Sequence, residues 1–251
     1  MTRQSPAPTL PAILLTRPAE QGDRFAAALR ARFGDSLRCV AAPMLVPRYF
    51  APALPQTPVD ALIFTSETGV AAFARLSADP VLARITRAWC VGDRTAKAAR
   101  DCGLTAISAK GDADALLEAI VAAGETGPLL HLRGAEVRGD LAGMLTARGI
   151  PTDQAVVYAQ ESAALTPDAL HLLRQGAPVV VPLFSPRSAS LFTAAAQQAG
   201  TSAPLWVAAL SPTVAEAAGG LQPARMVTAG RPDSDAMQEA VALLIAAGGG
   251  A

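Results

Sequence analysis

LIFTSETGVAAF, residues 62–73, returns 119 positions later as VPLFSPRSASLF, residues 181–192. Each copy opens with a short apolar run that is typical of a buried strand. A serine follows each run, Ser66 in the first copy and Ser185 in the second, and an amphipathic stretch then predicts a helix. The pattern therefore predicts the same strand, turn and helix twice.

The duplication extends beyond these two segments. Thr95 falls on Thr213 in the second segment pair, so the alignment again places a hydroxyl on a hydroxyl. A repeat of this length is not a solenoid unit, and it indicates two similar α/β lobes. The further pairs are residues 88–99 with 206–217, at a shift of 118, and residues 111–120 with 232–241, at a shift of 121.

Short apolar runs alternate with alanine-rich helical stretches along the whole chain. Continuous apolar strands separated by helices favour parallel sheets covered on both faces. Strands or extended segments are predicted at residues 12–16, 37–45, 61–65, 88–91, 105–108, 129–133, 155–159, 179–184, 206–210 and 226–229. Helices are predicted at residues 20–32, 68–76, 95–102, 112–123, 139–148, 167–175, 188–199, 212–218 and 234–247.

Composition and charge exclude several classes of protein. The chain has 251 residues, of which 51% are hydrophobic and 17% charged, which is typical of a folded domain or two. Lys and Arg together number 21, as do Asp and Glu, so the chain lacks the basic excess that nucleic acids or anionic membranes attract. We therefore expect neither a nucleic acid nor a membrane as partner. No apolar run reaches the ~20 residues of a membrane helix.

Cysteines, histidines and glycine motifs also argue against the common cofactor and metal sites. The three cysteines form no paired metal-binding pattern, and the two histidines are too few for a multi-histidine site. The glycine-rich signatures of dinucleotide and P-loop sites do not occur. The sequence therefore lacks the usual signatures of dinucleotide, P-loop and metal sites, and we expect no metal. Because no signal peptide is visible and the thiols are expected to be reduced, we expect a cytoplasmic protein.

Hydroxyl and turn-forming residues repeatedly follow the predicted strands and precede the predicted helices. Ligands of parallel α/β sheets bind beyond the carboxyl ends of the strands, where helix N-termini also attract anions. The pattern indicates a binding rim on each lobe for a ligand with several carboxylates or phosphates, and helix capping alone is the alternative. The residues concerned are Thr16, Arg17, Ser66, Thr95, Arg133, Ser185, Ser188 and Thr213.

Two further polar side chains lie on predicted strands, where a structural role is the ordinary interpretation. Tyr158 is one of two tyrosines, and on a β-branched strand it would ordinarily pack. His131 lies within the apolar run LLHLR and is interpreted as a core or edge histidine.

The ordered motifs resemble the uroporphyrinogen-III synthase family. Each motif alone is common, but their order and spacing together are specific and cover nearly the whole chain. The motifs are LLTRP (14–18), IFTSETGV (63–70), VGDRTA (91–96), LLHLRG (129–134), VVY (156–158), LFSPRSASLF (183–192) and SPTVAEAA (211–218).

The resemblance implies an α/β fold of two similar lobes, each a parallel sheet flanked by helices, with a cleft between them. A two-stranded connection would join the lobes, with crossing strands at residues 39–47 and 156–162. Lobe one would then hold residues 1–38 and 163–251, and lobe two residues 48–155.

The resemblance also implies a reaction and a partner. The family's substrate is the linear tetrapyrrole hydroxymethylbilane, which is cyclised to uroporphyrinogen III with inversion of ring D and loss of water. Tyr158 matches the family's tyrosine, the candidate proton donor, and Thr95 and Thr213 match hydroxyl positions on the two rims. We expect a monomer that uses no cofactor.

Two other functions are compatible with the same sequence features. A non-catalytic two-lobed binder of a small polyanionic ligand would share the cleft and the anion-binding rims. A nucleotide-sugar transferase would also have two α/β lobes, although larger ones than this chain can build.

Overall fold

The computed structural model describes residues 10–136 and 139–248, which fall into two compact units. Unit 1 holds the residues up to Val46 and those from Ser162 onward, and unit 2 holds Pro47–Glu161. The strands are β1 Ala12–Leu15, β2 Cys39–Ala41, β3 Leu45–Tyr49, β4 Ala61–Phe64, β5 Arg87–Cys90, β6 Thr105–Ser108, β7 Leu129–Gly134, β8 Thr152–Ser162, β9 Val179–Leu183, β10 Leu205–Ala209 and β11 Arg225–Thr228. The helices are α1 Ala19–Phe33, α2 Glu67–Leu76, α3 Asp93–Asp101, α4 Ala113–Ala122, α5 Leu141–Ala147, α6 Pro167–Arg174, α7 Pro186–Ala199, α8 Pro212–Ala217 and α9 Ser234–Gly248.

Unit 1 is a parallel sheet with the strand order β11-β10-β9-β1-β2. Successive strand residues point to opposite faces, so Leu14 packs with α6, α7 and α8 whereas Ile13 and Leu15 pack with α1 and α9. Helices therefore cover both faces, which explains why β9 is buried along its whole length.

Unit 2 is a sheet with the strand order β3-β8-β7-β4-β5-β6, in which the pairs from β8 to β6 are parallel. Leu62 and Phe64 pack with α2 and α3 on one face, and Ala61 and Ile63 pack with α4 and α5 on the other. The predicted α/β fold, with parallel sheets flanked by helices, is confirmed.

The two sheets share a common set of strands, in which β4, β5 and β6 of unit 2 correspond to β9, β10 and β11 of unit 1. On the other side of β4 lies β7, and on the other side of β9 lies β1. The helix starts correspond as well. Ser66 accepts a hydrogen bond from the Gly69 N–H at 3.1 Å, and Ser185 accepts one from the Ser188 N–H at 3.2 Å. Both serines cap the helix that follows.

The predicted pairing of Thr95 with Thr213 is wrong by one residue. Ile63 pairs with Trp89 in unit 2, and Pro182 pairs with Ala208 in unit 1, so β5 and β10 correspond at a shift of 119. The shift of 118 would move every side chain of the strand to the opposite face. Position for position, Thr95 therefore matches Val214, and both are buried.

Strands β2, β3 and β8 overlap the predicted crossing segments 39–47 and 156–162. Cys39–Ala41, the first part of the predicted crossing 39–47, pairs with β1 in the sheet of unit 1. β8 is an 11-residue strand that begins three residues before the predicted strand 155–159 and ends at Ser162. The chain changes from one compact unit to the other after Val46 and again after Glu161.

Candidate active site

A cavity of about 340 Å³ opens at the carboxyl ends of the unit 2 strands. This is the edge at which parallel α/β sheets bind ligands. The lining residues come from the ends of β4, β5 and β7, from β8 and from the starts of α4 and α5. They are Thr65, Ser66, Val91, Asp112, Ala113, His131, Arg133, Gly134, Glu136, Gly139, Leu141, Gln154 and Tyr158.

Tyr158 and Ser66 form a hydrogen bond in the wall of this cavity. The two hydroxyl oxygens lie 2.9 Å apart, and either can be the donor. The Ser66 oxygen already accepts the Gly69 N–H, because Ser66 is the N-cap of α2. Ser66 can therefore donate its proton to the tyrosine oxygen, and in that arrangement the Tyr158 proton can be donated to another group.

Gly134 provides the space in which the Tyr158 ring lies. The register between β7 and β8 slips at Arg133–Gly134, and this bulge places Gly134 opposite Tyr158. A Cβ atom at Gly134 would lie 2.8 Å from Cζ of Tyr158 and 3.0 Å from its hydroxyl oxygen. Any side chain at this position would therefore displace the ring.

His131 is a buried histidine, and its Nε2 lies 3.2 Å from the Thr65 hydroxyl. Burial, together with the smaller effect of the Arg133 guanidinium, lowers the pKa of His131 from 6.5 to about 4, and Asp140 opposes this shift. The imidazole is therefore neutral near pH 7. The structure agrees with the interpretation of His131 as a core histidine and adds that it reaches the cavity.

Arg133 is held by neighbouring groups in the cavity wall. Its Nε donates to the Gln154 side-chain oxygen at 2.8 Å, and its Nη1 donates to the Gly134 carbonyl at 2.8 Å. Asp112 and Glu136 also line the cavity, so the lining does not have a net positive charge. Asp112 is used as a helix cap, since it accepts the Ala115 N–H at the start of α4.

Thr95 does not line this cavity. It is the third residue of α3, and its side chain is buried. Of the predicted unit 2 residues, the fold therefore brings Ser66, Arg133 and Tyr158 together at the cavity. Thr95 instead lies among the buried residues of α3.

The predicted residues of unit 1 follow the ends of β1, β9 and β10. Thr16 is fully buried, and its hydroxyl has no hydrogen-bond partner among the described residues. Arg17 lies 3.9 Å above the Phe184 ring and donates to the Gln21 side-chain oxygen. Ser185 donates to Ser188 at 3.0 Å, so these two hydroxyls bond to each other.

Thr213 is the exposed member of the unit 1 set. It is the second residue of α8, and its hydroxyl lies 3.4 Å from that of Ser211.

Thr65 and Gly134 lie at or just after the ends of predicted strands, but neither is among the site residues predicted from the sequence. Thr65 was visible as a hydroxyl beside Ser66, but its histidine partner lies 66 positions away. Gly134 could have been noticed as a glycine that ends an apolar strand, which is a common sign of a bulge or a close approach.

Comparison with protein families identifies the chain. A family model described as uroporphyrinogen-III synthase HemD matches residues 23–239. The chain belongs to the uroporphyrinogen-III synthase family. The family resemblance of the sequence motifs is thus confirmed, and this synthase functions in tetrapyrrole biosynthesis.

Solved structures of synthases resemble this chain. The uroporphyrinogen-III synthetase of Helicobacter pylori 26695 shares the fold: it is 21% identical with a TM-score of 0.60, and the match covers 93% of this chain and 99% of that one. A mutant uroporphyrinogen III synthase of the extremely thermophilic bacterium Thermus thermophilus is 13% identical with a TM-score of 0.46, over 94% of this chain and 99% of that one.

The sequence has no significant match among curated proteins. Within the described residues, this synthase has no helix long and apolar enough to cross a membrane, and no cluster of three or more potential metal-ligating side chains.

Proposed function

We propose that the protein cyclises hydroxymethylbilane to uroporphyrinogen III, and that Tyr158 donates the proton to the departing hydroxide. The observation that carries the proposal is the Tyr158 hydroxyl, which lies in the wall of the unit 2 cavity 2.9 Å from that of Ser66. A cavity residue with a transferable proton and a fixed orientation can accelerate the loss of a hydroxide.

The proposed reaction begins with cleavage of the C–O bond of the hydroxymethyl group. The hydroxide takes the phenolic proton and leaves as water, and the pyrrole electrons generate an electrophilic azafulvene. The substituted α-carbon of ring D attacks the former hydroxymethyl carbon and gives a spiro intermediate. Fragmentation breaks the bond between this α-carbon of ring D and the methylene that joined it to ring C, and the pyrrole electrons of ring C turn that methylene into a second azafulvene. The other α-carbon of ring D then attacks this methylene and loses its hydrogen as a proton, so the net change is the loss of one water.

Ser66 is the hydrogen-bond partner of the Tyr158 oxygen in this scheme. A phenol has a pKa of about 10, so its conjugate base needs stabilisation. Because the Gly69 N–H occupies one lone pair of Ser66, the Ser66 O–H is placed to donate to the phenolate that forms. A hydrogen bond to the charged form stabilises that form.

We propose that helix starts and rim side chains hold the substrate carboxylates. The cavity volume of about 340 Å³ is near the lower end of ligand pockets, roughly 300–1,000 Å³, so it would take only part of an octacarboxylate. The remaining contacts are assigned to backbone N–H groups and side chains at the ends of strands in each unit. These are Ser66, Thr95 and Arg133 in unit 2, and Thr16, Arg17, Ser185, Ser188 and Thr213 in unit 1.

We also propose the family's division of the chain, with lobes at 1–38 plus 163–251 and at 48–155 and crossing strands at 39–47 and 156–162. The two compact units, which change after Val46 and Glu161, support this proposal. We further propose that the protein is a monomer in the cytoplasm, uses no cofactor and binds no nucleic acid. Three unpaired cysteines fit a reducing compartment, and the pyrrole itself supplies the electrons for cyclisation.

The test is the isomer composition of the product. Purified protein, dialysed against EDTA, is incubated with freshly made hydroxymethylbilane, and the oxidised products are separated into the type I and type III isomers. We expect type III as the main product without added metal or coenzyme. Type I alone, with type III restored by a metal or coenzyme, would contradict the cofactor-free proposal, and type I under all conditions would contradict the proposed function.

A further inference from the structure

We propose that His131 is a positioning residue, which holds the Thr65 hydroxyl and thereby fixes the turn that presents Ser66 to Tyr158. The inference rests on the proposed function and adds a residue to it. Proton donation to the hydroxide involves Ser66 and Tyr158. The neighbouring polar pair, Thr65 and His131, has no role in that step.

The two hydrogen bonds start from adjacent residues. Thr65 bonds to His131 on β7 at 3.2 Å, and Ser66 bonds to Tyr158 on β8 at 2.9 Å. Both pairs line the same cavity. The turn between β4 and α2 is therefore tied to two different strands, and its orientation depends on both bonds.

The strand register explains how His131 reaches the turn. Ile63 of β4 pairs with His131 of β7, so their side chains share one face of the sheet. Thr65 lies two residues beyond Ile63 and returns to that face, diagonally across from His131. The bond thus links the middle of β7 to the first residue after β4.

Unit 1 provides an internal comparison for this polar pair. Val180 pairs with Ile13 as Ala61 pairs with Leu129, so Leu15 and Phe184 occupy the positions of His131 and Thr65. Leu15 and Phe184 belong to an apolar cluster, in which Phe25 contacts the Phe184 ring edge-on. The fold therefore forms this strand-to-helix junction in unit 1 without a polar pair. In unit 2, Thr65 and His131 take the place of these apolar side chains and line the cavity.

The charges around His131 favour positioning over proton transfer. Arg133 and Asp140 act on the imidazole in opposite directions, and Asp112 and Glu136 line the same cavity. Burial dominates and lowers the pKa of His131 to about 4. A base with this pKa is a poor match to the pH at which the enzyme works, whereas a neutral imidazole is a lasting hydrogen-bond partner.

The experiment compares four variants of the pair and one control variant with wild type and with Tyr158→Phe. His131→Leu introduces the residue found at the equivalent position of unit 1, and Thr65→Val removes the other partner with little change in shape. The double variant tests whether the two residues act together, and His131→Gln restores a side chain that can hydrogen-bond. His171→Leu, on the exposed face of α6, controls for the loss of a histidine.

We expect His131→Leu and Thr65→Val each to lower kcat for the type III isomer about 10-fold, with KM changed less than about threefold and a larger share of type I. The double variant should be no slower than the slower single variant, because both lose the same interaction. His131→Gln should recover to within about threefold of wild type. Urea unfolding of each variant separates these effects from a loss of fold.

The outcomes separate this inference from the function on which it rests. Wild-type kcat and isomer ratio in His131→Leu, while Tyr158→Phe is slow, would overturn the positioning role alone. Equal defects in His131→Gln and His131→Leu, or additive effects in the double variant, would also overturn it. A wild type that forms only type I would overturn the proposed function and the positioning role together.

Discussion

Gly134 lies so close to Tyr158 that a Cβ atom there would be 2.8 Å from the phenol carbon Cζ. The bulge between β7 and β8 creates this contact by pairing Gly134 directly with Tyr158. The backbone of one strand therefore serves as the surface on which the candidate proton donor rests. A glycine in this position sets where the phenol oxygen lies.

Gly134→Ala should therefore impair catalysis by displacing the Tyr158 ring. We expect kcat for the type III isomer to fall by about 10-fold or more, because a displacement of about 1 Å can cost roughly 100-fold in rate. Steady-state kinetics with isomer analysis checks this. The control is Gly176→Ala, since a Cβ atom at Gly176 meets no atom within 4 Å. Equal rates in both variants would show that the contact has no catalytic consequence.

Tyr158→Phe keeps the ring and removes the hydroxyl. If that hydroxyl donates a proton to the departing hydroxide, kcat should fall about 10- to 1000-fold while the fold remains intact. Complete inactivation is not expected, because the substrate can lose hydroxide unaided. Tyr49→Phe, a change at the second tyrosine of the chain, is the matched control. Wild-type turnover by Tyr158→Phe would leave the backbone N–H groups as the main catalytic element.

The α/β fold could be predicted from the sequence because the signals that define it are local. The apolar strand and the serine cap at Ser66 recur at Ser185, and both serines bond to the N–H three residues on. The shift of 118 failed because the strand AWCV has no polar residue to show which side chains face which helices. A one-residue slip in such a strand changes its buried faces without changing its apolar pattern.

The interior of the site could not be predicted because it depends on pairings between distant residues. Ser66 and Tyr158 are 92 positions apart, and Thr65 and His131 are 66 apart. Each pair meets only through the strand order β8-β7-β4, which no local pattern specifies. The position of Pro182 also depends on strand pairing that no local pattern specifies. It lies within the central strand β9, but β1 pairs with β9 only at Val179 and Val180. The missing N–H is therefore tolerated, because Pro182 lies beyond the part of β9 that pairs with β1.

Ser66→Ala should lose two interactions, the cap of α2 and the hydrogen bond to Tyr158. The cap loss should lower the free energy of unfolding by about 1 kcal/mol. The loss of the bond to Tyr158 should also lower kcat, with little change in KM. Urea unfolding and steady-state kinetics measure the two effects separately.

Thr166→Ala is the control for Ser66→Ala, because Thr166 caps α6 by accepting the Ala169 N–H. It should destabilise the protein by a similar amount and leave kcat unchanged. If both variants lost activity equally, stability rather than the bond to Tyr158 would explain the effect of Ser66→Ala.

The stability of the protein should depend on pH through His131. Its pKa in the folded protein is about 4, below the ordinary value of 6.5, chiefly because the imidazole is buried. As the pH falls from about 6.5 to about 4, the unfolded chain binds a proton that the folded protein does not. The free energy of unfolding should therefore fall through this window by roughly 2–3 kcal/mol, and this contribution should level off below about pH 4.

His131→Leu removes this titration and leaves every other one in place. The difference in the free energy of unfolding between His131→Leu and wild type should therefore shift in favour of the variant by about 2 kcal/mol between pH 7.5 and pH 4.5. Urea denaturation at the two pH values measures the shift, with His171→Leu as the control for a histidine at an exposed position. A constant difference between His131→Leu and wild type across this range would mean that His131 is protonated equally in the folded and unfolded states. The imidazole would then be hydrated in the cavity rather than held neutral beside Thr65.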